Sequence, residues 1–350
     1  MLIARAPLRI SFFGGGTDLP AYYLQHGGVV LSTTINKYVY AIVSVSEQHD
    51  LQITSSDYRT FYRHTADVPL LWEGDLSLPK AVLHQFGVRS GLSIFLASEA
   101  PPGTGLGSSS SVTVALVKAI SAACGQRLSP RAIAELACEI EIRKLGKPIG
   151  VQDQYAAAYG GLNWMTFSTA GIAVEPVPAS AETLRRLESN LVLAFTGAAH
   201  DSAVILAEQN RSSRDGDAGV IDALRHAVDL AHEGRECVVT GDLDRFGRLL
   251  DQAWQYKRRY APGVTNERIE RYHALARRHG ALGGKIAGAG GGGFLMLYCE
   301  DGVAPRVQAA LEAEGVRCMD YCFETDGARV LFNAGLSLIG VDAGQSEETL

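Results

Sequence analysis

The chain has 350 residues, of which 47% are hydrophobic and 20% are charged, and its formal net charge is −6. This composition is typical of a globular enzyme with room for two domains, and it excludes a disordered chain. Because the sequence has no long basic run, nucleic acid is excluded as the main ligand. Without an uninterrupted apolar stretch of about 18 residues, no membrane span is expected.

The six cysteines are scattered, and none belongs to a Cys-x-x-Cys pair. Cys318 and Cys322 are four residues apart, but no matching pair of metal ligands lies nearby. We interpret the cysteines as free thiols in a reducing compartment. Since the N-terminus also lacks the features of a signal peptide, the sequence predicts a cytoplasmic protein.

The first half of the chain alternates strands and helices. Ser129 and Pro130 are typical of a helix start, and this helix is expected to continue to about Leu145. The break at Asn36-Lys37 predicts a hairpin between two β-branched segments. The predicted strands are Leu8–Phe13, Val29–Ile35, Tyr38–Val45, Ser93–Leu96, Asn163–Phe167 and Ile172–Pro176, and further helices are expected at Ser109–Ala123 and within Gly150–Gly161.

A second domain is expected to begin near residue 188, which gives domains 1–187 and 188–333 and an acidic, frayed tail over 334–350. Its predicted strands are Leu191–Thr196, Phe294–Cys299 and Arg329–Phe332. Its predicted helices are Ser202–Asn210, Gly219–Glu233, Leu243–Tyr256, Asn266–His279 and Ala304–Glu314.

The most informative segment is Pro102–Ser111, in which three alternating glycines and four serines precede a helix. Backbone amides of such a loop and the dipole of the helix favour a bound anion, which predicts a phosphate site; a flexible turn is the alternative. The loop lacks the Walker pattern, and the signatures of protein kinases are absent. A serine hydrolase is excluded because no Gly-x-Ser-x-Gly elbow exists.

Three further features accompany this serine loop. Gly14–Gly16 precede Thr17 and Asp18, whose side chains could bind the hydroxyls of a small polyol or form a plain turn. Glu141 and Asp153 offer two carboxylates, one for Mg²⁺ and one to accept a proton from a substrate hydroxyl. The run Gly288–Gly293 predicts a close approach of the backbone to a phosphate or substrate.

Together these loops and carboxylates resemble the GHMP kinase family, which includes galactokinase and mevalonate kinase, over roughly residues 2–333. The resemblance implies an α+β, two-domain GHMP kinase fold, with an N-terminal domain like domain 2 of ribosomal protein S5 and a ferredoxin-like C-terminal domain. It also implies ATP and Mg²⁺ as cofactors. Within the family, the segments Ala6–Ser11, Gly14–Pro20, Gln152–Tyr155 and Gly283–Lys285 are most similar to D-glycero-D-manno-heptose 7-phosphate kinases.

The resemblance also implies roles for individual residues. Asp153 would be the catalytic base, and Glu141 with Ser108 or Ser109 would hold Mg²⁺. ATP would bind the serine loop at Pro102, Gly103, Gly105, Leu106, Gly107, Ser108, Ser109 and Ser110. The substrate would contact Arg9, Gly15, Gly16, Thr17, Asp18, His200, Gly288, Gly290 and Gly291, although many relatives carry arginine in place of His200.

The implied reaction is phosphorylation of the anomeric C1 hydroxyl of the heptose phosphate to the 1,7-bisphosphate, for nucleotide-activated heptose and surface polysaccharide. Because the chain is acidic, a phosphate on the sugar needs a local cation. Lys257 and Arg258, in a run of three cations, are the best candidates, and a solvated helix end is the alternative. Another sugar kinase of the family, or a non-catalytic sensor of ATP and sugar, remains open. A homodimer is compatible with the sequence, which does not determine the oligomeric state.

Overall fold

The computed structural model describes residues 1–57, 59–65, 68–197 and 202–338. Within this part of the chain, strands and helices alternate and build two sheets. In none of the helices described does a stretch combine the length and the apolar character needed to cross a bilayer.

The strands, in chain order, are β1 (Leu2–Phe13), β2 (Gly28–Val45), β3 (Leu51–Ser55), β4 (Thr60–His64), β5 (Leu92–Ser98), β6 (Asn163–Ser168), β7 (Gly171–Pro176), β8 (Leu191–Phe195), β9 (Ala281–Ile286), β10 (Phe294–Cys299), β11 (Arg317–Cys318), β12 (Phe323–Glu324) and β13 (Arg329–Asn333). The helices are α1 (Pro20–His26), α2 (Ser77–Gln85), α3 (Ser108–Ala123), α4 (Pro130–Cys138), α5 (Gln152–Tyr159), α6 (Ala181–Ser189), α7 (Ser202–Arg214), α8 (Ala218–Thr240), α9 (Leu243–Lys257), α10 (Glu267–Arg278) and α11 (Ala304–Ala313). One π-helical segment, Glu139–Lys144, directly continues α4.

The predicted hairpin at Asn36-Lys37 is wrong, because β2 is one strand of 18 residues. Against β1, Pro7 pairs with Tyr38 and the next residue pairs with Ile35, so Asn36 and Lys37 form a bulge. The bulge is held from outside: the Asn36 amide donates to the Cys322 carbonyl, and the Cys322 amide donates to Asn36 Oδ1. The local turn signal was therefore overridden by strand pairing on both sides.

The first sheet has nine strands, with the order β13-β1-β2-β5-β3-β4 and with β12, β6 and β7 joined through β2. Helix α3 packs on β1 and β2, and α5 packs on α3 and α4. Alternating side chains of β1 and β2 point into this layer, which forms the larger hydrophobic core. The serine loop is therefore anchored between a strand and a buried helix.

The second sheet is antiparallel, with the order β11-β8-β10-β9. Numbered along the chain, this is the strand order 4-1-3-2 of a split β-α-β-β-α-β unit, which is the ferredoxin-like arrangement. The strands β12 and β13 return to the first sheet, although the sequence-based division counted them with the second domain. In the expected tail, Leu336 is buried and the Leu338 amide donates to the Ala123 carbonyl, while residues 339–350 lie outside the described residues.

The two parts of the fold meet at their glycine loops. A Cβ on Gly105 would lie 2.4 Å from the Ala287 carbonyl oxygen, and a Cβ on Gly288 would lie 2.5 Å from Gly105 Cα. The Phe294 amide donates to the Thr104 carbonyl at 3.1 Å. Backbone-to-backbone contact of this kind leaves no room for a side chain at either glycine.

We expect Gly288→Ala to cost far more stability than Gly263→Ala. Both glycines have positive φ, at 68° and 82°, so both variants carry a left-handed strain of about 1 kcal/mol. Only at Gly288 does the new Cβ also collide with the neighbouring loop, whereas nothing lies within 4 Å of a Cβ on Gly263. Overpacking should add about 1–3 kcal/mol, measured as the free energy of unfolding in urea. Equal losses in the two variants would contradict the close contact.

Candidate active site

A cavity of about 160 Å³ lies where the three glycine loops meet. It brings together most of the residues that the sequence singled out. The predicted residues that line it are Arg9, Gly15, Gly16, Asp18, Gly103, Gly105, Gly107, Ser108, Ser109, Ser110, Asp153, Lys257 and Gly288. His200 lies outside the described residues.

The serine loop presents its backbone to this cavity. Gly103, Gly105 and Gly107 have φ between 73° and 83°, a region that favours glycine, and α3 begins directly after Gly107. The first turn of α3 is thus at the cavity, where free amides and the helix dipole favour an anion. Ser111, in contrast, is buried and donates its hydroxyl hydrogen bond to the Pro7 carbonyl, which fixes the helix to β1.

Asp153 and Arg9 form an ion pair beside the serine loop. Arg9 Nε donates to Asp153 Oδ1 at 2.7 Å, and Nη1 donates to the Gly105 carbonyl at 2.5 Å. The other carboxylate oxygen of Asp153 would lie 3.2 Å from a Cβ on Gly107. Because Arg9 is buried on β1, it holds the carboxylate in one orientation at the edge of the loop.

Asp18 is buried on the other side of the cavity. Its Oδ1 accepts from the Gly16 amide at 2.9 Å and from Gln152 Nε2 at 3.1 Å, and its Oδ2 accepts from the Gln152 amide at 3.2 Å. Burial raises the pKa of Asp18 above its ordinary value, and the negative charge of Asp153 adds to the effect. The aspartate is held rigidly enough to bind a substrate hydroxyl.

Thr17 does not reach the cavity, which corrects the predicted contact with a substrate. Its side chain is fully buried, and Oγ1 lies 2.8 Å from the Gly14 carbonyl and 3.0 Å from the Val29 amide. The hydroxyl is thus used to close the loop of three glycines, a role that the sequence pattern alone does not distinguish from ligand binding.

Two polar atoms on the cavity wall have no hydrogen-bond partner among the described residues. They are Ser11 Oγ and Gln152 Oε1, and both are buried. Gln209 also lines the cavity, with Nε2 at 3.4 Å from the Gly16 carbonyl. Because buried polar atoms are normally paired, these groups fit the hydroxyls of a small polar ligand.

Lys257 is the only member of its cationic run that lines the cavity among the described residues. Its ammonium donates to the Gly288 carbonyl at 2.5 Å. Arg258 and Arg259 are exposed instead and pair with Glu270 and Asp222, so Arg258, a predicted substrate contact, does not line the cavity. Helix α9 ends at Lys257, and the two arginines that follow lie in the turn after the helix, where they face away from the cavity.

Lys285 also lines the cavity, and the sequence reasoning did not select it as a site residue. It stands on β9 immediately before the third glycine loop. Burial and the charges of Lys257 and Arg9 hold the pKa of Lys285 well below its usual range. The signal that could have revealed it is its place in the segment Gly283–Lys285, which carries part of the resemblance and lies just before the third glycine run.

Four of the predicted loop residues do not line the cavity, and three of them instead contact neighbouring backbone; the four are Pro102, Leu106, Gly290 and Gly291. The Leu106 carbonyl accepts from the Arg9 amide at 3.0 Å, and Pro102 does not line the cavity. The Gly291 amide donates to the Val264 carbonyl at 2.8 Å, and a Cβ on Gly290 would collide with Val264. Of the predicted third-loop glycines, only Gly288 faces the cavity.

Glu141 is fully buried on the π-helical segment and lies behind the serine loop. Its Oε2 accepts from Gln154 Nε2 at 2.6 Å, and its Oε1 accepts from Lys147 Nζ at 3.2 Å. Lys147 also donates to Ser109 Oγ at 3.0 Å, so an ammonium already lies between a carboxylate and a serine hydroxyl. These oxygen donors are of the type that Mg²⁺ prefers, and a cation is accommodated between them. Among the described residues no group of three or more acidic, His or Cys ligands exists, so a Mg²⁺ ion here would also need phosphate oxygens.

A second cavity of about 300 Å³ opens on the other side of Ser109 and Lys147. Its wall combines apolar side chains from the region of α2, β5 and α3 with charged ones. The apolar residues are Leu76, Leu78, Pro79, Leu96 and Val112, and the charged residues are Asp57, Asp75 and Lys147. Ser109 lines both cavities, so the serine loop lies between them. The sequence analysis missed this pocket because it did not predict α2.

The chain is similar to known proteins in both sequence and fold. A model of the GHMP kinases N terminal domain matches residues 77–161, and a model of the GHMP kinases C terminal region matches residues 230–317. The chain is 30% identical over 332 residues to D-glycero-alpha-D-manno-heptose 7-phosphate kinase of Campylobacter jejuni, with 93% of this chain and 97% of that protein covered.

Two solved structures of kinases are similar to this fold. A D-glycero-D-manno-heptose 1-phosphate kinase from Bacteriodes thetaiotaomicron has a TM-score of 0.78 at 28% identity, with 96% of this chain and all of that chain covered. The galactokinase of Lactococcus lactis, solved with galactose, has a TM-score of 0.71 at 20% identity, with 94% of each chain covered. The two-domain fold predicted from the sequence motifs is confirmed.

We expect the stability gained by Lys257→Met to depend on pH. Burial, followed by the charge of Arg9, lowers the pKa of Lys257 from 10.5 to about 8, while Asp18 opposes this shift. Between these values the unfolded chain binds more protons than the folded one, so this group's contribution to the free energy of unfolding rises with pH. The advantage of the variant over the wild type should therefore be largest below pH 8 and should shrink towards about pH 10.

Urea denaturation at a series of pH values measures this difference, and Arg258→Met serves as the exposed control. Lys285, Arg9, Asp18 and Asp153 face the same cavity and remain in both proteins. A stability difference that stays constant across the range would show that Lys257 is not held in a buried, cationic environment.

Proposed function

The chain belongs to the GHMP kinase family, and from this premise we propose that it transfers the terminal phosphate of ATP to the C1 hydroxyl of D-glycero-D-manno-heptose 7-phosphate. The relatives directly support an ATP-dependent sugar kinase, and the choice of this sugar and this hydroxyl is our proposal. The product would be the 1,7-bisphosphate. The proposal places the protein in the cytoplasm, where ATP is available.

One observation carries the proposal: the Asp153 carboxylate lies against the serine loop while it also faces the cavity lined by Asp18. A hydroxyl bound in that cavity beside Asp153 is therefore next to the phosphates of a nucleotide on the loop. Phosphoryl transfer depends mainly on such positioning and on neutralisation of charge.

The nucleotide would lie along the serine loop. Its phosphates would contact the backbone amides at the start of α3, which belong to Gly107, Ser108, Ser109 and Ser110. Its base would enter the second cavity and pack on the apolar side chains between α2 and β5. Glu141 and Ser108 or Ser109 would hold Mg²⁺, which supplies neutralisation of phosphate charge when bound. Lys147, now bonded to Glu141 and Ser109, would shift towards the phosphates.

The sugar would occupy the charged cavity. Asp18, Gln152 and Ser11 offer acceptors and donors to its hydroxyls, and the loop at Gly15 and Gly16 closes over it. The ammonium of Lys257 would bind the phosphate at the far end of the sugar. This buried cation favours a phosphorylated sugar over a neutral sugar such as fucose, which relatives named as fucokinases suggest as a second candidate.

In the reaction, the C1 hydroxyl oxygen forms a bond to the terminal phosphorus of ATP as the bond from that phosphorus to the ADP oxygen breaks. The hydroxyl proton passes to Asp153, whose orientation is set by Arg9. Arg9 and the loop amides offset the negative charge that spreads over the transferred group. The presence of Asp153, Arg9 and Glu141 in one arrangement favours an enzyme over a non-catalytic sensor.

We expect Asp153→Asn to lower turnover by about a hundredfold or more, because the amide cannot accept the proton. ATP affinity should hardly change, since Asp153 faces the sugar side of the loop. Release of ADP measures turnover, and calorimetry measures ATP binding. Asp222→Asn, which removes an exposed carboxylate, should retain full activity as the control. Normal turnover in Asp153→Asn would remove Asp153 as the base.

Substrate choice is tested with neighbouring cations. Lys257→Ala should raise the KM for the sugar phosphate by about tenfold, because a charge-assisted contact is lost, and should leave the KM for ATP almost unchanged. Arg258→Ala is the matched control, since its guanidinium is exposed and pairs with Glu270. Comparable effects in both variants, or the same effect of Lys257→Ala on an unphosphorylated heptose, would contradict recognition of the distal phosphate by Lys257.

A further inference from the structure

The cavity contains more positive charge than its own carboxylates balance. Arg9, Lys257 and Lys285 face it together with Asp18 and Asp153. Arg9 is paired with Asp153, and Asp18 is held by the Gly16 amide and by Gln152. The two lysines are left without an acidic partner among the described residues.

Lys285 has the more unusual environment of the two lysines. It is only 4% exposed, yet no hydrogen bond joins its ammonium to any other described residue. Lys257, which is 6% exposed, donates a hydrogen bond from its ammonium to the Gly288 carbonyl. Burial of an unpaired charge is costly, so a folded protein keeps such a group where a ligand supplies the missing partner.

A second buried lysine in the same chain shows the ordinary structural solution. Lys80 is also 4% exposed, but its ammonium donates to the Glu73 carbonyl at 2.5 Å and lies 4.7 Å from the centre of the Tyr62 ring. Lys80 does not line either of the two cavities at the serine loop. Burial alone therefore does not leave a lysine unpartnered in this fold.

We propose that Lys285 is a phosphate-binding residue of the active site, which together with Lys257 grips a phosphate group between the second sheet and the serine loop. The proposal rests on the proposed function and extends it to a residue of the second domain. Two cations and a nearby arginine match a dianionic group that brings about −1.5 to −2 charges.

The backbone contacts place this pair close to the point of transfer. Lys257 is bonded to Gly288, Gly288 touches Gly105, and Gly105 accepts a hydrogen bond from Arg9, which holds Asp153. A phosphate bound by the two lysines is therefore either the distal phosphate of the sugar, as proposed above for Lys257, or the terminal phosphate of the nucleotide, in which case Lys257 binds the transferred group instead. Both sources share the same chemistry, and the experiment separates them.

The test replaces Lys285 by methionine, which keeps the length of the side chain and removes its charge, with Lys80→Met as the matched control. Binding of inorganic phosphate to the whole protein, measured by calorimetry, should weaken by about 10- to 100-fold in Lys285→Met and should not change in Lys80→Met. This measurement needs no sugar, so it remains decisive even if the heptose is the wrong substrate. Unchanged phosphate binding in Lys285→Met, or no phosphate binding by the wild type, would overturn the proposal.

Thermal unfolding separates a ligand-binding role from a structural one. Lys285→Met should have the same Tm as the wild type or a higher one in the absence of ligand, because an unpaired buried charge is removed. Lys80→Met should have a lower Tm, because it loses a hydrogen bond and leaves a carbonyl unpaired. A large fall in Tm for Lys285→Met without ligand would show that the ammonium supports the fold and would overturn the proposal.

Kinetics then identify the source of the phosphate. If kcat/KM falls by at least about tenfold with both heptose 7-phosphate and unphosphorylated heptose, Lys285 binds the transferred phosphate. If the fall is confined to heptose 7-phosphate, Lys285 binds the distal phosphate. Either pattern supports the proposal, and unaltered kcat/KM with both sugars contradicts it.

Discussion

The contact between the serine loop and the third glycine loop is the constraint on which the site depends. Gly105 and Gly288 approach so closely that neither can carry a side chain. This contact joins a helix start on the first sheet to a strand on the second, and it brings Arg9 and Lys257 to one cavity. The glycines cost conformational entropy in the unfolded chain, and close packing of two backbones is what they provide in return.

The charges of the cavity follow from the same junction. The chain is acidic as a whole, with 38 Asp and Glu residues against 32 Lys and Arg residues, but its cleft collects buried cations from both sheets. Burial lowers the pKa values of Lys257 and Lys285, and repulsion from the neighbouring cations adds to the effect. Sites that bind and transfer phosphate commonly sacrifice stability in this way, because the charge is paired only when the substrate is present.

Local sequence patterns predicted most of the strands, helices and glycine loops, since glycine runs, helix caps and apolar strands act locally, while the two-domain fold was implied by the resemblance to GHMP kinases. The start of α3 was placed within one residue, and β10 was predicted with its observed bounds. The errors arose where contacts between distant parts of the chain determine the local conformation or the direction of a side chain. Strand pairing turned Asn36-Lys37 into a bulge. The hydroxyl of Thr17 donates to the Gly14 carbonyl of its own loop and is therefore not available to a substrate. The sequence predicted Lys257 and Arg258 alike as phosphate contacts and did not select Lys285, because the packing of the second sheet on the first decides which of these side chains face the cavity.

A single measurement tests directly whether the phosphate is transferred to the anomeric oxygen of a sugar that already carries a phosphate. The protein is incubated with ATP, Mg²⁺ and D-glycero-D-manno-heptose 7-phosphate, and the sugar product is examined by phosphorus NMR. We predict two phosphorus signals in the product, one of them coupled to the proton on C1. A product phosphorylated at another hydroxyl, or ADP formed only with unphosphorylated sugars, would contradict the arrangement of Asp153 and the cationic cavity described above.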